Sequence, residues 1–182
     1  MQSKVVFRAS RALVGQGLAA MRFNFRGTGA SQGVHDEGRG EREDVRAALD
    51  ELEKLHPGLP LIAGGHSFGA VMALRVGVDD SRVQAMFALG FPIDLVTRTS
   101  FLDQCFKPIL FVQGEHDDVG NAEKIRALAA RRPEAQSVVI VPGSDHLFNG
   151  KLEELEQGIS GWVAGSPWEA SEKRQVSSRE GL

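Results

Sequence analysis

Residues 65–69 read Gly-His-Ser-Phe-Gly, a G-x-S-x-G pattern that places a serine on a tight turn between a strand and a helix. The preceding residues 59–64 are mostly apolar, and residues 68–76 resume helical spacing with no proline among them. Gly64 and Ala70 keep bulk away from the turn. The pattern predicts that Ser67 projects its hydroxyl as a nucleophile. The alternative is that these glycines only allow a strand and a helix to pack closely.

A serine hydroxyl is a weak nucleophile until a base removes its proton, and that base is most often a histidine. Five histidines are available. His146 follows a predicted strand, residues 137–141, through the turn at residues 142–145. The carboxyl ends of parallel strands meet at one edge of a sheet, so His146 is the candidate base for Ser67.

The histidine in turn needs a carboxylate to orient it. Asp117 follows the predicted strand at residues 108–112 and lies at the same edge of the sheet. The resulting chain order, Ser67 then Asp117 then His146, is the one expected with a serine on a strand-to-helix elbow. Asp118 is the adjacent alternative, and the sequence does not choose between the two.

The elements that position these residues follow from hydrophobic periodicity. Apolar residues recur at helical spacing from Val5, and short apolar runs bounded by glycine and proline alternate with further helices. The predicted helices begin near residue 5 and cover 43–56, 68–76, 122–131 and 147–163, and the predicted strands cover 18–25, 59–64, 83–89, 108–112 and 137–141. This alternation predicts an α/β fold, a mostly parallel sheet of about five strands flanked by helices.

The length of 182 residues favours a single catalytic domain, residues 1–165, with a polar C-terminal tail at residues 166–182. The 21 basic and 24 acidic residues form no long basic block, which argues against nucleic acid as a partner. No apolar run approaches the length of a membrane span, and no signal peptide is visible. A single cysteine, Cys105, excludes an internal disulfide. We therefore expect a cytoplasmic protein with no membrane partner.

A metal site is a rival interpretation of the same loops. His116 and His146, together with Asp117, Asp118 and Asp145, have side chains that ligate divalent cations. Because carboxylate-rich loops often bind cations nonspecifically, these residue types are weak evidence for a dedicated metal site. We therefore predict no metal and no cofactor.

Four segments resemble the α/β-hydrolase superfamily, in particular its small esterase-like members without a lid. They are residues 25–29, 65–70, 113–117 and 143–146, and the resemblance covers most of residues 1–165. It implies that Ser67 is the nucleophile, Asp117 the acid and His146 the base. The backbone N–H of Phe68 would then donate to the oxyanion.

The sequence departs from that family at its N-terminus. Family members have strands before the first helix, and the loop entering that helix supplies a second oxyanion donor. This sequence begins at the helix, so we expect the N-terminal strands to be missing and the enzyme to be slow. An unpaired strand edge is adhesive, and we therefore expect a homo-oligomer that forms through the exposed edge of the sheet.

The combined prediction is a serine carboxylester hydrolase that acts on small-molecule esters with short acyl chains. Residues 90–107 are too few for the helical cap of larger hydrolases, so the cleft should be open. We predict that Phe91 and Phe148 line it and bind substrate. The alternative is a catalytically impaired protein of the same fold that binds a partner.

Overall fold

Helices alternate with strands along most of the chain, as the hydrophobic periodicity predicts. The computed structural model describes residues 3–165. In chain order the elements are α1 (Lys4–Gly15), α2 (Arg39–Leu55), β1 (Leu61–His66), α3 (Phe68–Asp79), β2 (Val83–Leu89), a 3₁₀ turn (Ser100–Leu102), β3 (Ile109–Gly114), α4 (Ala122–Ala129), β4 (Gln136–Val141) and α5 (Leu152–Ala164). The predicted tail at residues 166–182 lies outside the described residues.

The four strands form one parallel sheet in the order β1-β2-β3-β4. Parallel sheets are covered on both faces, and alternate residues of each strand therefore enter two separate cores. In β2, Met86 and Ala88 pack with α2, α3 and α4, whereas Phe87 and Leu89 pack with α1 and α5. The α/β fold with helices on both faces is confirmed, and it brings the carboxyl ends of all four strands to one edge.

The predicted strand at residues 18–25 is wrong. These residues pair with no strand among residues 3–165, and the sheet consequently has four strands instead of about five. Two cavities of about 360 and 330 Å³, each lined by both segments, lie between residues 18–25 and β1. Strands pair at a spacing of about 4.8 Å, so a segment separated by such a groove cannot form the ladder. Apolar composition alone therefore did not make this segment a strand.

Among residues 3–165, no strand pairs with the edge of β1 that faces this groove. Ser67 N–H donates to Leu89 O at 2.9 Å, which places its alternate residues Gly65 and Ala63 on the β2 side. By the same alternation Ile62 and Gly64 direct their backbone groups toward the groove.

Within residues 3–165, no helix is long and apolar enough to cross a membrane.

Candidate active site

Ser67 occupies a strained turn between β1 and α3. Its φ of 55° and ψ of −123° lie in a region that non-glycine residues rarely adopt. The turn is so tight that a Cβ on Gly65 would lie 2.5 Å from the backbone of Gly69. The small residues of the motif are therefore required by the close approach of strand and helix. They leave the Ser67 side chain at the carboxyl edge of the sheet.

The structure brings Ser67, His146 and Asp117 into one hydrogen-bonded row. Nε2 of His146 lies 2.9 Å from Oγ of Ser67, and Nδ1 of the same ring lies 2.8 Å from Oδ2 of Asp117. The Asp117 side chain is fully buried and that of His146 is 17% exposed. A carboxylate only accepts hydrogen bonds, so Nδ1 carries the proton, and Nε2 of the neutral ring accepts from the serine hydroxyl.

Asp117, and not its neighbour Asp118, contacts His146. Asp118 is exposed to solvent, whereas Asp117 also accepts hydrogen bonds from Val119 N–H at 2.9 Å and from Nε2 of Gln113 at 2.6 Å. The buried carboxylate thus has three donors, which fix its orientation toward the imidazole.

Gln113 is a site residue that the sequence analysis missed. It is fully buried, and its amide also donates to Gly120 O at 2.8 Å and accepts from Phe91 N–H at 2.9 Å. Its amide nitrogen ties β3 to the loop that carries Asp117, and its oxygen ties β3 to the segment after β2. The available signal was one polar residue in the otherwise apolar β3, which a buried parallel strand tolerates only when the polar group is satisfied.

His66 and Gly90 support His146 from below the ring. Nε2 of His66 lies 2.9 Å from the backbone oxygen of His146, and a Cβ on Gly90 would lie 3.2 Å from the His146 ring. The positive φ of Gly90, 52°, independently favours glycine at this position. Both residues therefore restrict where the His146 side chain and its loop can lie.

The pKa values of His146 and His66 are shifted in opposite directions. The hydrogen bond to Asp117 raises the pKa of His146. Partial burial lowers this pKa, and the nearby charges of Asp117, Asp118 and Asp145 raise it, so that the net shift is upward. Burial lowers the pKa of His66. His66 therefore stays neutral under conditions in which His146 still binds a proton.

Phe68 follows the serine and opens the first turn of α3. The amides of Ala70 and Val71 donate to Ser67 O, at 2.9 and 3.3 Å. Among residues 3–165, no protein atom accepts a hydrogen bond from the Phe68 amide, as expected for the first turn of a helix. Phe68 is 37% exposed and lines two cavities that reach Ser67.

Phe91 and Phe148 do not line the cleft, and this prediction is wrong. Both side chains are fully buried, and Phe91 packs edge-on against Phe111 at 5.8 Å between ring centroids. Phe148 belongs to the core beneath α1 and α5, with its ring 6.4 Å from that of His66. The hydrophobic effect buries large aromatic rings wherever a core is adjacent, and both rings join a core.

The loop after residue 25 is anchored to α2. Arg26 binds Asp44 through Nε, Nη2 and its backbone N–H, with distances between 2.7 and 3.1 Å. A Cβ on Gly40 would lie 2.0 Å from the Arg26 guanidinium, so a side chain there would displace that group. Phe25 packs edge-on against Phe68 at 5.6 Å. This loop therefore forms one wall beside the serine.

The residues considered for a metal do not converge. Within residues 3–165, no group of three or more His, Cys, Asp and Glu side chains is arranged to hold an ion. His116 is exposed and lies 4.0 Å from Glu115. Asp145 accepts from the backbone of Leu147 and Asn149, at 3.1 and 3.0 Å, and caps the turn after His146.

The fold and the row of side chains can be compared with known proteins. The family model for the alpha/beta hydrolase domain matches residues 1–158. The chain belongs to the alpha/beta hydrolase family. A serine hydrolase homologue from Coxiella burnetii superposes with a TM-score of 0.81 and 34% identity, over 88% of this chain and 76% of that one.

Two further alpha/beta hydrolases bear on the site. A serine hydrolase without a lid from Xanthomonas campestris superposes with a TM-score of 0.78 and 29% identity, over 92% of this chain and 77% of that one. A pimeloyl-[acyl-carrier protein] methyl ester esterase of the same species is 27% identical over 127 residues, 68% of this chain. The chain spans about half, 49%, of that esterase. These likenesses support a hydrolase with esterase-like relatives.

Proposed function

We propose that this alpha/beta hydrolase is a serine carboxylester hydrolase that cleaves short-chain acyl esters. The observation that carries the proposal is the continuous row of hydrogen bonds from Ser67 through His146 to Asp117, with distances of 2.9 and 2.8 Å. In a neutral imidazole oriented by a carboxylate, Nε2 is placed to accept the serine proton.

In the acylation step, Oγ of Ser67 attacks the ester carbonyl carbon while Nε2 of His146 takes the hydroxyl proton. The carbonyl oxygen gains negative charge, which the free N–H of Phe68 stabilises from the first turn of α3. The intermediate then collapses, and the C–O bond to the alcohol breaks. His146 returns the proton to the departing alcohol, and an acyl group remains on Ser67.

Deacylation repeats the same proton movements with water. His146 accepts a proton as the water oxygen attacks the acyl carbon, and the charge again falls beside Phe68. The bond to Oγ of Ser67 breaks, the carboxylic acid leaves and the serine regains its proton. Asp117 stabilises the imidazolium that forms twice per cycle. No cofactor takes part in this scheme.

The preference for short acyl chains is proposed from the shape of the site. Residues 90–107 contain only the 3₁₀ turn Ser100–Leu102, so no helical cap from this segment covers Ser67. The cavity beside Ser67 holds about 400 Å³ and is bounded by the loop at residues 92–97. The cytoplasm remains the predicted compartment.

Hydrolysis of p-nitrophenyl acetate and p-nitrophenyl octanoate tests the proposal. The acetate should turn over faster, and Ser67→Ala should lose the activity. Ser81→Ala is the matched control, because Ser81 is exposed and lies at the opposite end of α3. Equal background rates from wild type and Ser67→Ala, both folded by circular dichroism, would instead favour the partner-binding alternative.

A further inference from the structure

The cavity that opens beside Ser67 is lined by two arginines. Its volume is about 400 Å³, and Arg42 of α2 and Arg75 of α3 line it together with Ser67 and the apolar Leu95. Two cations in a small cavity at the reacting serine are not needed for the proton transfers described above. Their placement therefore bears on which ligand the cavity binds.

Neither arginine has a carboxylate partner among residues 3–165. Nε of Arg42 donates to Gly38 O at 3.0 Å, and the Arg75 guanidinium lies 4.7 Å from the centroid of the Phe101 ring. By contrast, Arg26 is held by Asp44 at 2.7 Å. Arg42 and Arg75 are each partly buried, and a partly desolvated cation gains from an anion brought to it.

One acidic residue, Glu37, also lines the cavity. It is exposed and forms no ion pair with the described residues. One carboxylate against two guanidiniums leaves the cavity with an excess positive charge. The excess favours a bound anion, and Glu37 opposes it.

The helix sets the distance between this charge and the reacting atom. Ser67, Val71 and Arg75 are spaced four residues apart and line the cavity from one face of α3. Arg75 Cα is thus about 12 Å along the axis from that of Ser67. Helical side chains slant toward the N-terminus, which is the end of α3 next to Ser67. A ligand esterified at Ser67 would meet the cations at its far end.

We infer that the substrate is an ester whose acyl chain ends in a carboxylate, bound by Arg42 and Arg75. The inference rests on the proposed function for the identity of the reacting bond. A guanidinium matches a carboxylate through paired, charge-assisted hydrogen bonds. Hydrolysis of such a hemiester at Ser67 gives a dicarboxylate and an alcohol by the steps already described. The apolar Leu95 and Val71 contact the methylene chain between the two ends.

Binding tests the inference without turnover. Isothermal titration of the Ser67→Ala protein with monomethyl adipate and with dimethyl adipate compares an anion with a neutral ligand of similar length. The anion should bind at least about tenfold more tightly. The preference should shrink in Arg42→Gln and Arg75→Gln, vanish in the double variant and grow in Glu37→Gln. Monomethyl succinate and suberate locate the best chain length.

Arg46→Gln is the matched control, because Arg46 lies one turn beyond Arg42 on α2 and pairs with Glu43 outside the cavity. It should keep the full preference. Equal affinity for the two adipates, or a preference that survives in the double variant, would overturn the inference.

Turnover separates this inference from the proposed function. Serine-dependent hydrolysis of p-nitrophenyl acetate with no preference for the anionic adipate would overturn the inference and leave the esterase intact. Anion binding that depends on Arg42 and Arg75, with no serine-dependent hydrolysis of either ester, would support the anion site and overturn the esterase.

Discussion

His66 hydrogen-bonds through Nε2 to the backbone oxygen of His146 at 2.9 Å, and the two rings lie 4.9 Å apart. The residue before the serine therefore supports the loop of the histidine that contacts the serine, 80 positions later in the chain. Because burial lowers the pKa of His66, its ring stays neutral and Nε2 can donate while the other nitrogen is unprotonated. The position of the His146 loop and the proton transfer are thus linked through the side chain of His66.

Replacing His66 should reduce turnover by changing the position of His146. His66→Ala removes the donor to the His146 carbonyl, and we expect kcat to fall by about tenfold or more with KM little changed. His66→Gln retains an N–H donor and should recover part of the loss. Steady-state kinetics on both variants provides the measurement. An alanine variant with wild-type kcat would contradict this role.

The activity should depend on pH through His146. Protonated His146 cannot accept the serine proton, so kcat/KM rises with pH through the pKa of His146, which Asp117 holds above its ordinary value. Asp117→Asn removes that effect. The acid limb should therefore move to lower pH, and the rate should fall by up to about 10⁴-fold. Rate profiles of both proteins across the acid range would show this, and an unmoved limb would argue against it.

Gln113 should contribute to both stability and turnover. Gln113→Met keeps the volume but leaves the Phe91 amide and the Gly120 carbonyl without their partner. Each buried group left unsatisfied costs about 1–3 kcal/mol. Urea denaturation should show a loss of that order, and kcat should fall because Asp117 loses a donor. Unchanged stability and unchanged kcat would mean that water molecules replace the hydrogen bonds of the Gln113 amide.

The elbow should be intolerant of even one methyl group. Gly65→Ala places a Cβ 2.5 Å from the Gly69 backbone, and the strand and helix must separate to admit it. We expect loss of activity and a lower melting temperature. Gly161→Ala on α5 is the control, since nothing lies within 4 Å of its Cβ. It should be neutral or stabilise by up to about 1 kcal/mol. Similar melting temperatures for the two variants would refute the steric argument.

Association through the β1 edge remains a prediction. The backbone groups of Ile62 and Gly64 face the groove beside residues 18–25, and exposed edges invite pairing with a second copy. Light scattering over a range of concentrations should detect dimers, and Met21→Lys in the groove wall should reduce them. A monomer at every concentration would contradict the prediction.

Hydrophobic periodicity predicted the five helices and four of the strands, because both cores are built from regularly spaced apolar residues. It placed the start of α5 at Leu147, whereas the helix begins at Leu152. The reason is local: Asp145 binds the amides of Leu147 and Asn149, and Phe148 adopts a φ of 55°, so the chain turns before the helix starts. Side-chain capping of this kind competes with helical spacing.

Ser67, Asp117 and His146 were recognisable because each follows a strand whose end the parallel topology places at one edge. Residues that act through others were not. His66 and Gly90 meet His146 only once the sheet has assembled, and no local pattern encodes such a contact. The strand prediction for residues 18–25 was wrong for the same reason, since a strand depends on the neighbour it pairs with.

Covalent labelling of Ser67 tests the central claim most directly. A fluorophosphonate reacts with a serine only when a neighbouring base activates the hydroxyl. Intact-mass and peptide analysis should show one adduct, on Ser67, in wild type, none in Ser67→Ala and strongly reduced labelling in His146→Ala. Folded wild type that remains unlabelled, or labelling that persists in Ser67→Ala, would contradict the account.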